Sequence, residues 1–565
     1  RQKRFRRENA AGTTQEGKIM KRKAVAAVLT AVMVASMFTG CGSDNGSSSA
    51  KSASAASAAS AANDTVDEDG KVNGIMYQEG LPLVDEGDYT FSIFCDDSSE
   101  SGEFIMLDEF KKQTNVDVDL KIYPYETATE RLNLDLNSGD YADVIGGWTL
   151  SDNAILTYGV NQGVFIPLED YFEKYCPNIS AILDLPGVRE KMTAPDGHIY
   201  TIPYVCTDTT VGYSPYINTK WLENVGMSMP TTTDEFEAVL KAFKEQDANG
   251  NGDASDEIPF STDPNNKHIE AMAGYFGLPM NKLGIAIQNE KVVYGGVSDT
   301  YREFLSWFHK LYAEGLVDVE LYTQDSSTWE GKGNQDLYGV SIAYGSNEFT
   351  GIPAAEERGD FDSMPVLNTD KDGIWLRDTE GFSVYRTQAV ITNKAEHPEI
   401  ICRWFDNAFA LENGIGCNRG PVGVIVNKED DGYHAIDTTT LSEEDQEKYS
   451  WGNLWPQSLP KYLPVDFEFV EEHPMYDEKK ATEEAYEANL TKEIIPSYWI
   501  DLDKIDTFSD TNTAIKDFFE QQQAQFVCGE LDIDNDADWQ AYVDGMYSLG
   551  LEDWVATQGI EEIAK

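Results

Sequence analysis

"DYTFSIFC", residues 88–95, is an apolar run of strand length, and the residues on its C-terminal side decide how that strand is used. Directly after it, "GEFIMLDEFKKQTN" (102–115) sets Phe104, Leu107 and Phe110 on one helical stripe. The alternating strand "VDVDLKIY" (116–123) comes next, then a helix over "ATERLNLDLNSG" (128–139) and the short run "DVIGG" (143–147) before Trp148. Strand, helix, strand, helix, strand with short loops predicts an α/β fold on a doubly wound parallel sheet. In such sheets ligands collect beyond the carboxyl ends of the strands, which nominates Asp96, Asp97, Ser98 and Trp148 as ligand contacts.

A second α/β region comes after it. "MPTTTDEFEAVLKAF" (229–243) places Phe236, Val239, Leu240 and Phe243 on one face, with Thr232 and Glu235 at capping-box spacing. "YREFLSWFHKLYAEGLV" (301–317) repeats the device and stops at Gly315. The strand-like "YGVSIAYG" (338–345) ends in a polar loop, helix returns with "PEIICRWFDNAFA" (398–410), and an irregular, tryptophan-bearing stretch (414–462) leads into a helical C-terminal third.

Upstream of the first strand, Met20-Lys21-Arg22-Lys23 is a basic n-region, and the apolar run 24–38 has signal-peptide length, too short to span a membrane. Thr39 and Gly40 lead into Cys41 with a spacing that resembles the bacterial lipobox, which implies an acylated cysteine at the mature N-terminus. The alternative is an ordinary secreted chain. Residues 1–19 fit no targeting pattern and read as lying upstream of a start at Met20. Residues 42–63, rich in Ser, Ala and Gly, read as a flexible tether of about 25 Å reach, so that 41–85 link a lipid to the folded part. Forty-three basic against 99 acidic residues, net −56, argue against nucleic acid and against adhesion to anionic lipid. Of the seven cysteines, six remain besides Cys41, without CxxC spacing, so no zinc site is indicated, and a Cys402–Cys417 pairing stays open.

Several spans resemble one family. "DGHIYTIPYVCTDTTVGYSPYINTKWLENVGMSMPTTTDEFEAVLKAF" (196–243) resembles the stretch of extracellular solute-binding proteins of ABC transporters where the chain first enters the second lobe. "HPEIICRWFDNAFA" (397–410) resembles the helix after the return crossing, and "FVCGELDIDNDADWQAYVDGMYSLGLEDWV" (526–555) the C-terminal signature of the lipoprotein branch with alginate-binding and LipO-like proteins. The resemblance implies a two-lobe, type II periplasmic-binding-protein-like α/β fold that closes on a solute by hinge motion and delivers it to a membrane permease. It places lobe 1 at 86–208 plus 391–565, lobe 2 at 209–390, and the crossings near Thr207–Tyr213 and Tyr385–Thr392. It also implies a monomer held at the outer face of a bacterial membrane.

"DANGNGDASDEIPF" (247–260) carries a second chemistry. Asp247, Asn249 and Asn251 stand at positions 1, 3 and 5 of an EF-hand-type loop with Gly252 at 6, and the Asp253 carbonyl falls at 7; oxygen donors at every second residue suit calcium. Asp256 and Glu257 match the adjacent acids that end a similar loop in alginate-binding relatives, one residue late, which leaves Ser255 or Asp256 for position 9. A structural calcium ion is the cofactor expected. "DIDNDADW" (532–539) lacks the turn glycine and reads better as a helix start capped by Asp538.

Sugars offer apolar C–H faces and rings of hydroxyls, so their sites pair aromatic platforms with planar polar groups. Trp148, Trp329, Trp375, Trp451 and Trp455, in loops or at strand ends, are cleft candidates, as are Tyr204 and Tyr213 beside the crossing and Tyr344 at a strand end; Trp221, Trp307, Trp404, Trp539 and Trp554 read as core. Arg419, and with it Arg377, would favour an anionic sugar if either faced the cleft. An oligosaccharide receptor is therefore expected. The rivals are a surface-anchored glycan hydrolase, for which no GxSxG, HExxH or P-loop is present, and a receptor for peptide or metal.

Overall fold

A computed structural model describes residues 64–97, 102–263, 268–351, 360–464, 467–470, 475–560 and 562–564. Cys41, the signal and tether segments and Ser98 lie outside the described residues. Those described all belong to one compact unit.

The first sheet has the order Val116–Tyr123, Tyr89–Asp96, Val144–Gly146, Phe382–Ile391, Thr201–Thr207. Its first three strands are parallel, as the strand–helix alternation predicts. The Phe382 strand, however, runs antiparallel to both neighbours, so the sheet is mixed. Both faces of the Tyr89 strand are covered, which is why it reads as an apolar run, whereas the edge strand Val116–Tyr123 alternates. Phe91 and Ile93 join one core, where Phe91 meets the edge of Trp404 at 5.3 Å; Phe94 joins the other and stacks on Tyr123 at 4.7 Å.

The second sheet, ordered Phe361–Ser363, Ser214–Asn218, Tyr338–Ala343, Ile258–Thr262, supports the second lobe. Helix Thr233–Glu245 buries the four residues of its predicted stripe. Its cap differs by one residue from the expected box: Thr232 Oγ1 accepts the Glu235 N–H at 3.2 Å, while the Glu235 carboxylate reaches back to the N–H of Thr231 at 2.9 Å. At helix Asp536–Ser548 the cap is Asn535, not Asp538.

The lobes are joined first at 208–213 and then at 378–381, side by side: the Asp208 N–H donates to Gly381 O at 3.1 Å and the Asp378 N–H to Thr210 O at 3.0 Å. The return crossing therefore precedes the Phe382 strand, whereas Tyr385–Ile391 belong to that strand; an apolar run shows that a strand exists, not where the chain changes lobe. Further on, strand Leu490–Ile494 pairs with Trp375–Arg377, and Ile500 joins the first lobe again. A cavity of about 260 Å³ is lined by Asp152 of the first lobe, by Ile285 and Val292 of the second, and by Ile495, Tyr498 and Ile500.

The C-terminal helices correct the expected division. Ile400, Trp404 and Leu459 pack in the first lobe's core. The 24-residue helix Ile505–Cys528 begins on that lobe with Ile505, but its Phe519 and Phe526 enter the second lobe's core, joined there by Tyr542 and Trp554. Strand Glu562–Ile563 then extends the Lys291–Tyr294 hairpin of that lobe. Helical periodicity reveals an apolar face but not which core it covers. No helix among the described residues is long and apolar enough to cross a membrane.

Trp554 is fully buried, 5.7 Å from Tyr294, and its Nε1–H donates to Asn512 Oδ1 at 2.9 Å. Trp554→Ala is expected to cost about 3–5 kcal/mol. Chemical denaturation checks this, and a loss under about 1 kcal/mol would contradict the packing of the C-terminus on the second lobe.

Candidate functional site

Two carboxylates end the Tyr89 strand at the edge facing the crossings, and both are buried. Asp96 accepts the N–H groups of Trp148 at 3.0 Å and Thr149 at 2.6 Å, and Asp97 accepts the N–H of Gln457 at 2.7 Å. The oxygens of these two nominated acids hold loops in the structure, because a buried carboxylate is stabilised by the backbone amides beside it. The loops they hold are the ones that carry exposed tryptophans. Gly147 makes the first possible, with φ +137° and an added Cβ only 2.3 Å from Asp96 Oδ1.

Trp148 is 46% exposed. It stands edge-on to Tyr385 at 5.3 Å and 6.4 Å from Tyr204, itself 5.4 Å from Tyr385. Trp451, 51% exposed, lies under the Lys461 ammonium at 5.2 Å. Lys461 donates to Gln457 Oε1 at 2.6 Å, and Gln457 donates to the carbonyl of Trp451 at 2.7 Å, so ring and cation share one support. Burial pushes the Lys461 ammonium down to about 8.

The second lobe answers with Tyr344, 37% exposed at the end of the Tyr338 strand. Tyr213 meets it edge-on at 6.0 Å and stacks on His268 at 4.1 Å, where burial lowers the imidazole to about 3 and keeps it neutral. Between the two groups stands Asp208, in the first crossing. It accepts the Tyr385 hydroxyl at 3.0 Å and lies 3.5 Å from that of Tyr344, one tyrosine from each lobe. The Cys206 thiol beside it is pushed up to about 12 by burial, so it is not a thiolate nucleophile.

Trp148, Tyr204, Tyr213 and Tyr344 are thus brought together at the crossings, and Trp451 lies exposed on the first lobe. Three other tryptophans are not available. Trp329 is buried beside Phe349 with its Nε1–H on Ser341 Oγ at 3.1 Å; Trp375 lies between Tyr275 and Tyr486; Trp455 stacks on Trp404 at 5.7 Å. A loop or strand-end position in sequence does not reveal that a neighbouring helix roofs it. Arg419 places its guanidinium over Phe469 at 5.7 Å, and Arg377 pairs with Glu487 at 3.2 Å. Sequence reading missed Asp208, Tyr385, Gln457 and Lys461; the scarcity of cations was the one signal that could have marked Lys461.

The acidic loop of the second lobe gathers several side-chain oxygens, and its own amides bind some of them. Asp256 turns toward the side-chain amides of Asn249 (3.2 Å) and Asn251 (2.7 Å), while the Ser255 hydroxyl turns to Asp253 at 2.6 Å, so Asp256 faces the loop. Asp247 Oδ2 accepts the Gly252 N–H at 3.0 Å. Asp247 Oδ1 and Glu257 Oε2 are buried without a hydrogen-bond partner among the described residues, as oxygens meant for a cation would be. Burial and the neighbouring Asp256 raise the Glu257 carboxyl.

Residues 97–414 match the family described as bacterial extracellular solute-binding protein. The chain belongs to this family. It is 31% identical over 411 residues, 70% of each chain, to the fructooligosaccharide ABC transporter substrate-binding protein FusA of Streptococcus pneumoniae, and 28% identical to the lipoprotein LipO of Bacillus subtilis over 48% of this chain and 52% of that one. The solved structure of S. pneumoniae FusA with kestose is 27% identical, with TM-score 0.72, over 83% of this chain and 98% of that one; an EF-hand mutant of FusA with fructo-nystose matches at 27% and 0.70 over the same shares. The solute-binding fold thus accounts for two lobes whose facing rings meet at their crossings.

In this solute-binding protein, Gly147→Ala forces a side chain into a left-handed conformation against Asp96. We expect about 1–3 kcal/mol of destabilisation by urea titration, with the emission of the exposed Trp148 shifted in the folded state. An unshifted spectrum at unchanged stability would contradict the fastening role of Asp96.

Proposed function

We propose that the protein captures an oligosaccharide between its lobes and hands it to the permease of an ABC importer. The observation that carries this is the convergence of Trp148, Tyr204 and Tyr385 from one lobe and Tyr213 and Tyr344 from the other on Asp208. Exposed rings suit the apolar faces of sugars, and the surrounding hydroxyls, amide and carboxylate suit their hydroxyl groups. A ligand touching both sets favours the closed arrangement, since only that arrangement lets it use both at once. Relatives named as substrate-binding proteins of transporters support binding rather than hydrolysis.

The second-lobe loop holds calcium in this reading, through Asp247, Asn249, Asn251, Asp256, Glu257 and the Asp253 carbonyl, and the ion would stiffen the lobe without touching the solute. Cys41 carries the lipid that keeps a monomer beside its permease. A tether raises the local concentration of receptor at that permease.

Calorimetry of the full chain against kestose, nystose, xylo- and galacturono-oligosaccharides and a peptide mixture tests the reading. Binding of an oligosaccharide is expected, with Trp148→Ala and Trp451→Ala each weakening it about tenfold or more and X-ray scattering showing a smaller radius of gyration on binding. Binding of peptide alone, or cleavage of the sugar, would overturn it.

Chelator is expected to lower the melting temperature and calcium to restore it by mass action. The double variant Asp247→Asn, Glu257→Gln should abolish the difference, and a wild-type chain indifferent to calcium would remove the ion from the account.

A further inference from the structure

Helix Met475–Tyr486 turns one lysine inward. Lys479 is 8% exposed. Its ammonium donates to the carbonyl of Gly212, in the first crossing, and to the carbonyl of Tyr344 at 2.6 Å. The same nitrogen stands 4.0 Å from the centroid of the Tyr344 ring. One cation thus holds both the strand end that presents a facing ring and the segment on which the lobes turn.

Carboxylates face this ammonium from every neighbouring element. Asp378 comes from the return crossing, Glu348 from helix Asn347–Thr350, and Glu478 and Glu483 from the lysine's own helix, with Asp208 adjoining Asp378. Each of the first four also accepts a backbone N–H close to the site: Asp378 from Gly212 at 2.6 Å, Glu348 from Tyr344 at 2.9 Å, Glu478 from Ser346 at 2.8 Å, and Glu483 from Thr210 at 2.6 Å. The two backbone stretches, 210–212 and 344–346, are therefore gripped by anions at their amides and by the one cation at their carbonyls. Burial lowers the lysine to about 8, and raises Glu348 to about 7 and Asp378 to about 6. A lysine so placed costs desolvation that a methionine would not, and the groups it holds belong to the binding surface rather than to a core.

We propose that Lys479 is a positioning residue for solute capture, whose charged form sets Tyr344 and the first crossing in the geometry that the bound sugar requires. This rests on the reading of the cleft as an oligosaccharide site. Loss of the proton weakens two charge-assisted hydrogen bonds and removes the cation from the ring, so affinity falls as pH rises through about 8. Arginine at this position keeps its charge throughout that range.

The test measures affinity of the full chain for kestose and nystose, and for any other sugar of the panel that binds, from about pH 6.5 to 9.5. Wild type is expected to lose about tenfold or more between roughly pH 7 and 9.5; Lys479→Arg should bind within severalfold of wild type at neutral pH and stay flat; Lys479→Met should be weak and flat. Denaturation midpoints at each pH separate affinity from folding, and if Lys479→Met does not fold the Lys479→Arg profile decides. A fall that persists in Lys479→Arg belongs to Lys461 or the carboxylates and overturns the inference, as does wild-type affinity in Lys479→Met; both leave the cleft reading standing. Absence of binding to every sugar in wild type overturns both.

Discussion

A carboxylate shut away from water beside free backbone amides has little choice of partner, and the site is built on that constraint. Asp96 and Asp97, adjacent in the chain at the end of one strand, each take N–H donors from a different loop, and each loop carries a solvent-facing tryptophan. The same device recurs across the cleft, where Asp378, Glu348, Glu478 and Glu483 take the amides of the crossing and of the loop after Tyr344. Charge-assisted bonds to the main chain are a strong way to stop a loop, and the ring it carries, from drifting.

How much of this was legible depended on whether the signal was local. The helix at Thr233 announced itself through four apolar positions and a cap, and the Tyr89 strand through its apolar run. The calcium-type loop was visible because its oxygen-bearing residues alternate within one short stretch; only the folded chain shows Asp256, not Ser255, turned inward. What failed was long-range. Trp329, Trp375 and Trp455 sat where exposure was plausible and were covered by residues far away in the chain. Lys479 was hidden in a stretch of charges that looks uniformly solvated, and nothing nearby in sequence distinguishes it from Lys480.

The C-terminal third shows the same limit on a larger scale. Its helices carry an apolar face that either lobe could have taken. In the second lobe their Phe519, Tyr542 and Trp554 complete a core begun by Tyr294 and Tyr301. Because helix Ile505–Cys528 starts on one lobe and finishes in the other, the two crossings near Asp208 are not the whole connection, and any swing must be shared with this longer member.

A cavity walled by both lobes has a bearing on that swing. Asp152 lies on one side and Ile285 and Val292 on the other. Any change in the angle between the lobes must change the volume of this chamber and the water it holds. Its hydration is then coupled to the swing, and the net volume change sets how hydrostatic pressure tilts the balance between gaping and shut forms.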